Sequence, residues 1–96
     1  MNYKLEFESR VKKDFGNIGR ENSVIIMKVL SEFAANFSCE YEQELLQTTK
    51  IKALKDSYER LYRLRIRSFR AIYKKKDNEL IILVLRVVAR KDAYRE

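Results

Sequence analysis

Residues 3–7 alternate, with Tyr3, Leu5 and Phe7 separated by Lys4 and Glu6, the period of a half-buried strand. Ser9 stands where a helix cap is favoured, and Val11 with Phe15 gives a short apolar stripe running up to Gly16. Gly16-Asn17-Ile18-Gly19 holds both glycines of the chain and reads as a turn between two helices. From residue 21 to 37 the pattern is helical, because Ile26, Leu30, Phe33 and Phe37 fall at 4-3-4 spacing on one face. Residues 40–47 fit either a short third helix or an extension of the second. Residues 50–55 alternate weakly and suit an extended lead-in to a sheet.

The C-terminal third carries a sharper pattern. Tyr62, Leu64 and Ile66 take one face of a strand, and Arg63, Arg65 and Arg67 take the other. Residues 69–75 give the next strand, and Lys76-Asp77-Asn78 the turn after it. Residues 80–89 are almost continuously apolar, interrupted by Arg86, which predicts a strand in the middle of the sheet, covered on both faces. The order implies an α+β fold: an N-terminal strand, a helical hairpin, then an antiparallel sheet of three or more strands with the helices on one face. At 96 residues the chain reads as one domain, 1–96.

Composition narrows the chemistry. Pro is absent and 46% of residues are hydrophobic, which suits a compact fold. No apolar run approaches the roughly 20 residues of a membrane span, and the start of the chain lacks the basic-then-apolar pattern of a signal sequence. A cytoplasmic protein with no membrane partner is the expectation. Cys39 is the one cysteine, so no internal disulfide forms, and its neighbours Glu40 and Glu42 disfavour a thiolate nucleophile. With no histidine and one cysteine, Ser-His and Cys-His nucleophile arrangements are excluded and a zinc site is not expected. No metal or other cofactor is expected.

The net charge of +7 is concentrated, since residues 60–76 hold eight basic side chains and no acidic one. Such a segment is an electrostatic footprint for phosphate or for an acidic protein. Arg63, Arg65 and Arg67 equally suit the wet face of an antiparallel sheet. Arg70 sits within an otherwise apolar strand, where it either meets a ligand or pairs with a carboxylate such as Glu6 or Asp56. Tyr62 and Tyr73 read as core aromatics, whereas Tyr94 lies in a polar tail. Lys74, Lys75 and Lys76 decorate a hairpin tip, with nonspecific contact to RNA as the alternative.

Taken in order, Leu54-Lys55, Tyr62-Arg63-Leu64-Arg65-Ile66, Phe69-Arg70-Ala71-Ile72-Tyr73 and Arg90 to Tyr94 resemble the motifs of the RelE branch of the RelE/ParE toxin superfamily. The resemblance spans essentially the whole chain. It implies the RelE-like microbial ribonuclease fold and the toxin of a type II toxin–antitoxin system. The implied activity is metal-independent cleavage of messenger RNA, in the ribosomal A site with contacts to 16S ribosomal RNA. A cognate antitoxin would hold the toxin inactive in a heteromeric complex, by strand addition at a sheet edge or by docking on the outer helix face. By position, Arg63 and Arg65 match two basic strand residues of the family's site. Arg70 matches its phosphate-contacting arginine, Arg90 the late arginine near the scissile phosphate, and Tyr94 the C-terminal aromatic. Relatives often carry glycine before the aromatic-Arg pair and before the late arginine. This chain has Ser68 and Ala89 there.

Such cleavage needs no histidine. RNA brings its own 2′-hydroxyl nucleophile, and guanidinium groups stabilise the charge that builds on phosphorus. Arg65, Arg70 and Arg90 are the candidates for that task, with Tyr94 stacking on a base or orienting the sugar. Arg63, Arg67, Lys55 and Lys74 are candidate RNA contacts. Arginine is a poor general base, so Lys52 is the first candidate for proton transfer, ahead of Glu59. Two other readings stay open: a ParE-like toxin that inhibits DNA gyrase without hydrolysis, and a catalytically degenerate RNA-binding relative.

Overall fold

The computed structural model describes residues 3–54 and 60–90. The elements run β1 (Lys4–Phe7), α1 (Ser9–Ile18), α2 (Arg20–Ala35), α3 (Cys39–Gln47), β2 (Ile51–Ala53), β3 (Tyr62–Ile66), β4 (Phe69–Lys76), a 3-10 turn (Asp77–Glu79) and β5 (Ile81–Ala89). The strands form one sheet in the order β1-β5-β4-β3-β2. β2, β3, β4 and β5 pair antiparallel with their neighbours, but β1 joins β5 in parallel. The C-terminal strands pair antiparallel as expected, and the parallel β1 makes the sheet as a whole mixed. The helices between β1 and the rest of the sheet are the crossover that a parallel partner requires. β5 lies inside the sheet, as its apolar run implied, and β4 takes the central place.

Two local expectations change. Gly16 does not end the first helix: α1 continues to Ile18, and the chain turns at Gly19 alone, whose φ of 90° favours glycine. Ser9 is the first helical residue rather than the cap, which is Glu8 with no side-chain capping bond. A side-chain cap appears instead at Ser38, whose hydroxyl accepts from the Tyr41 amide at 3.0 Å. That cap makes residues 39–47 a separate helix, resolving the open alternative.

The core fills the space between the helices and one sheet face. Ile26, Leu30 and Phe33 of α2 pack with Leu64, Ile66, Ala71, Tyr73, Ile82, Val84 and Val87. Two polar staples cross this layer. The buried Asp14 carboxylate of α1 accepts from Arg86 Nε at 3.0 Å, from its second guanidinium nitrogen at 3.2 Å, and from the Val87 amide at 2.9 Å. Arg86 follows a β-bulge against Ile72/Tyr73, the kind of irregularity that re-aims a side chain. At the other end of the sheet, Glu42 of α3 accepts from the Tyr73 hydroxyl at 2.9 Å and from Lys75 Nζ at 2.7 Å. The Lys75 ammonium also lies 4.8 Å from the Tyr62 ring centre.

Replacing Asp14 with alanine removes three hydrogen bonds, two from Arg86 and one from the buried Val87 amide. Asp14→Ala is expected to lose about 3 kcal/mol in urea unfolding, and Asp14→Asn less, because it keeps an acceptor oxygen. The Glu42 staple sets the alkaline limit. Burial, then the Glu42 charge and hydrogen bond, push the Tyr73 hydroxyl well above its ordinary value. At Lys75 burial pulls downward, but the hydrogen bond and charge of Glu42 outweigh it and the net direction is upward. Both groups hold their protons more tightly when folded. Their contribution is complete below about pH 10 and is lost as pH rises further. Unfolding free energy measured from about pH 9 upward is expected to fall above that point. Tyr73→Phe should lower the slope by about 1.4 kcal/mol per pH unit.

Candidate functional site

The alternation that buries Leu64 and Ile66 sends Arg63 and Arg65 to the opposite, open face of the sheet. Registers then bring the basic positions into rows. Lys52 of β2 lies directly across from Arg63, and Arg65 directly across from Arg70 of β4. Side chains at such positions start about 5 Å apart at Cβ, so each row juxtaposes like charges. Beside β2, the Lys50 carbonyl accepts from the Arg65 amide at 2.8 Å.

Arg90 follows the end of β5, and its amide donates to the Ser68 carbonyl in the β3–β4 turn at 2.8 Å. That bond ties the late arginine to the same end of the sheet as Arg70. The result is a cleft of about 560 Å³ lined by Thr49, Lys50, Lys52, Arg63, Arg65, Arg67, Ser68, Arg70 and Arg90. Among the described residues, every charged one in this lining is basic. Arg70 is only 6% exposed, and its guanidinium donates to the Phe69 carbonyl at 3.0 Å and the Arg67 carbonyl at 3.4 Å. Those bonds fold the side chain along its own strand and fix its direction.

Two residues of the lining have strained backbones. Thr49 and Arg67 have φ of 62° and 56°, a region that costs non-glycine residues roughly 1–2 kcal/mol. Arg67 occupies the two-residue β3–β4 turn, so an arginine rather than a glycine supplies the positive φ. A third such residue, Leu80 with φ of 54°, lies in the β4–β5 turn away from the cleft.

Of the residues singled out from the sequence, Arg63, Arg65, Arg67, Arg70, Arg90 and Lys52 meet in this cleft. Lys74 does not line it. It shares the face of Arg70 but pairs with Leu83, four residues and about 13 Å further along β4. Lys55, Glu59 and Tyr94 lie outside the described residues. Lys50, Thr49 and Ser68 were not foreseen as lining residues. Only Lys50 carried a signal, the Lys50-x-Lys52 alternation. Among the described residues no group of three or more His, Cys, Asp or Glu side chains gathers to hold a metal ion, and no helix is long and apolar enough to cross a membrane.

Known proteins agree with this architecture. No curated protein sequence matches the chain. The archaeal RelE–RelB complex from Pyrococcus horikoshii OT3 supplies a chain with TM-score 0.68 at 16% identity, covering 100% of both chains. A free-state mutant of the E. coli toxin RelE gives 0.66 at 22%, covering 97% of this chain and 88% of that one. The intact E. coli RelBE toxin–antitoxin complex gives 0.63 at 20%, covering 91% and 95%. The fold is thus that of the RelE toxins. The family model of the ParE toxin of type II toxin–antitoxin systems matches residues 5–94. With nearly its full length matched, the chain belongs to the ParE toxin family of type II toxin–antitoxin systems, within the RelE/ParE superfamily.

Proposed function

We propose that this toxin is a metal-independent endoribonuclease that cleaves messenger RNA, acting in the ribosomal A site. The observation that carries the reading is the pair of like-charge rows, Lys52 opposite Arg63 and Arg65 opposite Arg70, on one face of the sheet. Like charges directly across a strand pair destabilise it. Two such rows beside a buried arginine concentrate positive potential on one face of the sheet, which suits a polyanion.

In this reading Arg65, Arg70 and Arg90 hold one backbone phosphate through guanidinium forks, which stay charged at any physiological pH. The adjacent 2′-oxygen attacks phosphorus as the bond to the 5′-oxygen breaks. This leaves a 2′,3′-cyclic phosphate and a 5′-hydroxyl end. Lys52 is the residue proposed to take the 2′-hydroxyl proton, and solvent protonates the departing oxygen. The guanidinium groups then stabilise the charge gained in the pentacoordinate state. Arg63 and Arg67 bind flanking phosphates, and Tyr94 stacks on a base. The protein acts in the cytoplasm, with 16S ribosomal RNA and the message as its contacts.

Neutralisation falls to a cognate antitoxin in a heteromeric complex, as in the RelE–RelB and RelBE complexes of its structural relatives. The outer face of α2, where Val24 is 63% and Met27 40% exposed, is the helix face proposed to take it. The second reading, gyrase inhibition without hydrolysis, is favoured by the ParE description of the matching family.

Inducible expression followed by primer extension on a translated reporter separates the two. Codon-phased 5′ ends are expected with the native toxin. They should weaken by about 100-fold or more in Arg70→Ala and in Arg90→Ala, the loss that follows removal of one transition-state donor. Growth arrest with intact messages and a DNA-damage response would overturn the nuclease and support the gyrase reading.

A further inference from the structure

The outer edge of β1 is unpaired by any described strand, and its sequence is complementary to itself. The even-numbered amides face β5: Lys4 donates to the Leu80 carbonyl at 2.7 Å and Glu8 to the Val84 carbonyl at 2.9 Å. In an extended strand the amide and carbonyl of alternate residues point to opposite edges. The main-chain groups of Tyr3, Leu5 and Phe7 therefore face outward.

Consider an antiparallel partner related by a two-fold axis at Leu5. Leu5 meets Leu5 of the second copy in a hydrogen-bonded pair, each amide donating to the other's carbonyl. Two residues away, Tyr3 meets Phe7, again with both sets of main-chain groups outward. Between them Lys4 meets Glu6 at the non-hydrogen-bonded positions, where side chains approach most closely. Lys4 and Glu6 are exposed, and Tyr3, Leu5 and Phe7 half-buried. Aromatic thus faces aromatic, cation faces anion, and leucine faces leucine, with the main-chain groups in phase.

We infer that β1 pairs with β1 of a second copy of this chain, joining two sheets across a two-fold axis. The interface is isologous, because the same five residues serve both sides. A charged edge strand ordinarily discourages pairing. Here the charges select one register, since a parallel in-register pairing sets Lys4 against Lys4 and Glu6 against Glu6. The basic cleft lies toward the opposite edge of the sheet, around β2, β3 and β4. It stays open in the dimer, so the inference stands apart from the nuclease reading.

Sedimentation equilibrium of the purified full chain over a concentration series tests it. The native protein should dimerise. Lys4→Glu and Glu6→Lys, each confirmed as folded by circular dichroism, should weaken dimerisation by about tenfold. The double exchange Lys4→Glu/Glu6→Lys, which restores opposite charges across the axis, should recover it. A native protein that stays monomeric overturns the inference. So does a dimer indifferent to both single reversals, which places the contact elsewhere. A monomer that loses affinity for its antitoxin on Glu6→Lys also overturns it, and gives the edge to an antitoxin strand.

Discussion

Everything about the cleft depends on like charges held face to face by sheet register. Burying Leu64, Ile66, Ala71 and Tyr73 against the helices obliges the residues between them to occupy the other face. On that face the pairing of β2, β3 and β4 leaves Lys52 against Arg63 and Arg65 against Arg70. The hydrophobic core on one side thus fixes which cations stand side by side on the other. Moving the register by one residue would bury the cations and expose the core. The placement is therefore as firm as the core itself.

The rigid staples lie away from the cations. Glu42, Tyr73 and Lys75 lock α3 to the far end of β4, while Asp14 and Arg86 lock α1 to the β5 bulge. At the cleft itself, Thr49 and Arg67 hold unfavourable backbone angles, and Arg70 is tied to carbonyls of its own hairpin. The two side-chain staples thus lie where no ligand is proposed, although positive φ also occurs outside the cleft, at Leu80. A family of toxins with one shared fold can vary its activity at the cleft without disturbing the scaffold.

Much of this was legible in the residues because period-two and 3.6-residue patterns report directly on which face is buried. The strands β3, β4 and β5, the α2 stripe and the gathering of Arg65, Arg70 and Arg90 all follow from local pattern plus one hairpin. What escaped is non-local. Nothing in Lys4 to Phe7 states that β1 runs parallel to β5, and nothing near Asp14 names Arg86, 72 residues away, as its partner. Glu42 looks like any solvated helix acid until Tyr73 and Lys75 are folded beneath it. Lys74 carries the same charge and face as Arg70, and only distance along the strand separates it from the cleft. Gly16 misled because glycine permits a turn without requiring one, and the positive φ fell at Gly19 instead.

The most direct measurement of the central claim is the salt dependence of binding to a short 2′-O-methyl oligoribonucleotide, which carries the phosphates but lacks the nucleophile. If the cleft cations neutralise phosphates, the slope of log K against log salt becomes shallower by about 0.7 for each contact removed. Arg65→Ala should show that change and Lys74→Ala should not. An unchanged slope in Arg65→Ala, or an equal change in Lys74→Ala, would contradict a phosphate-binding cleft at this end of the sheet.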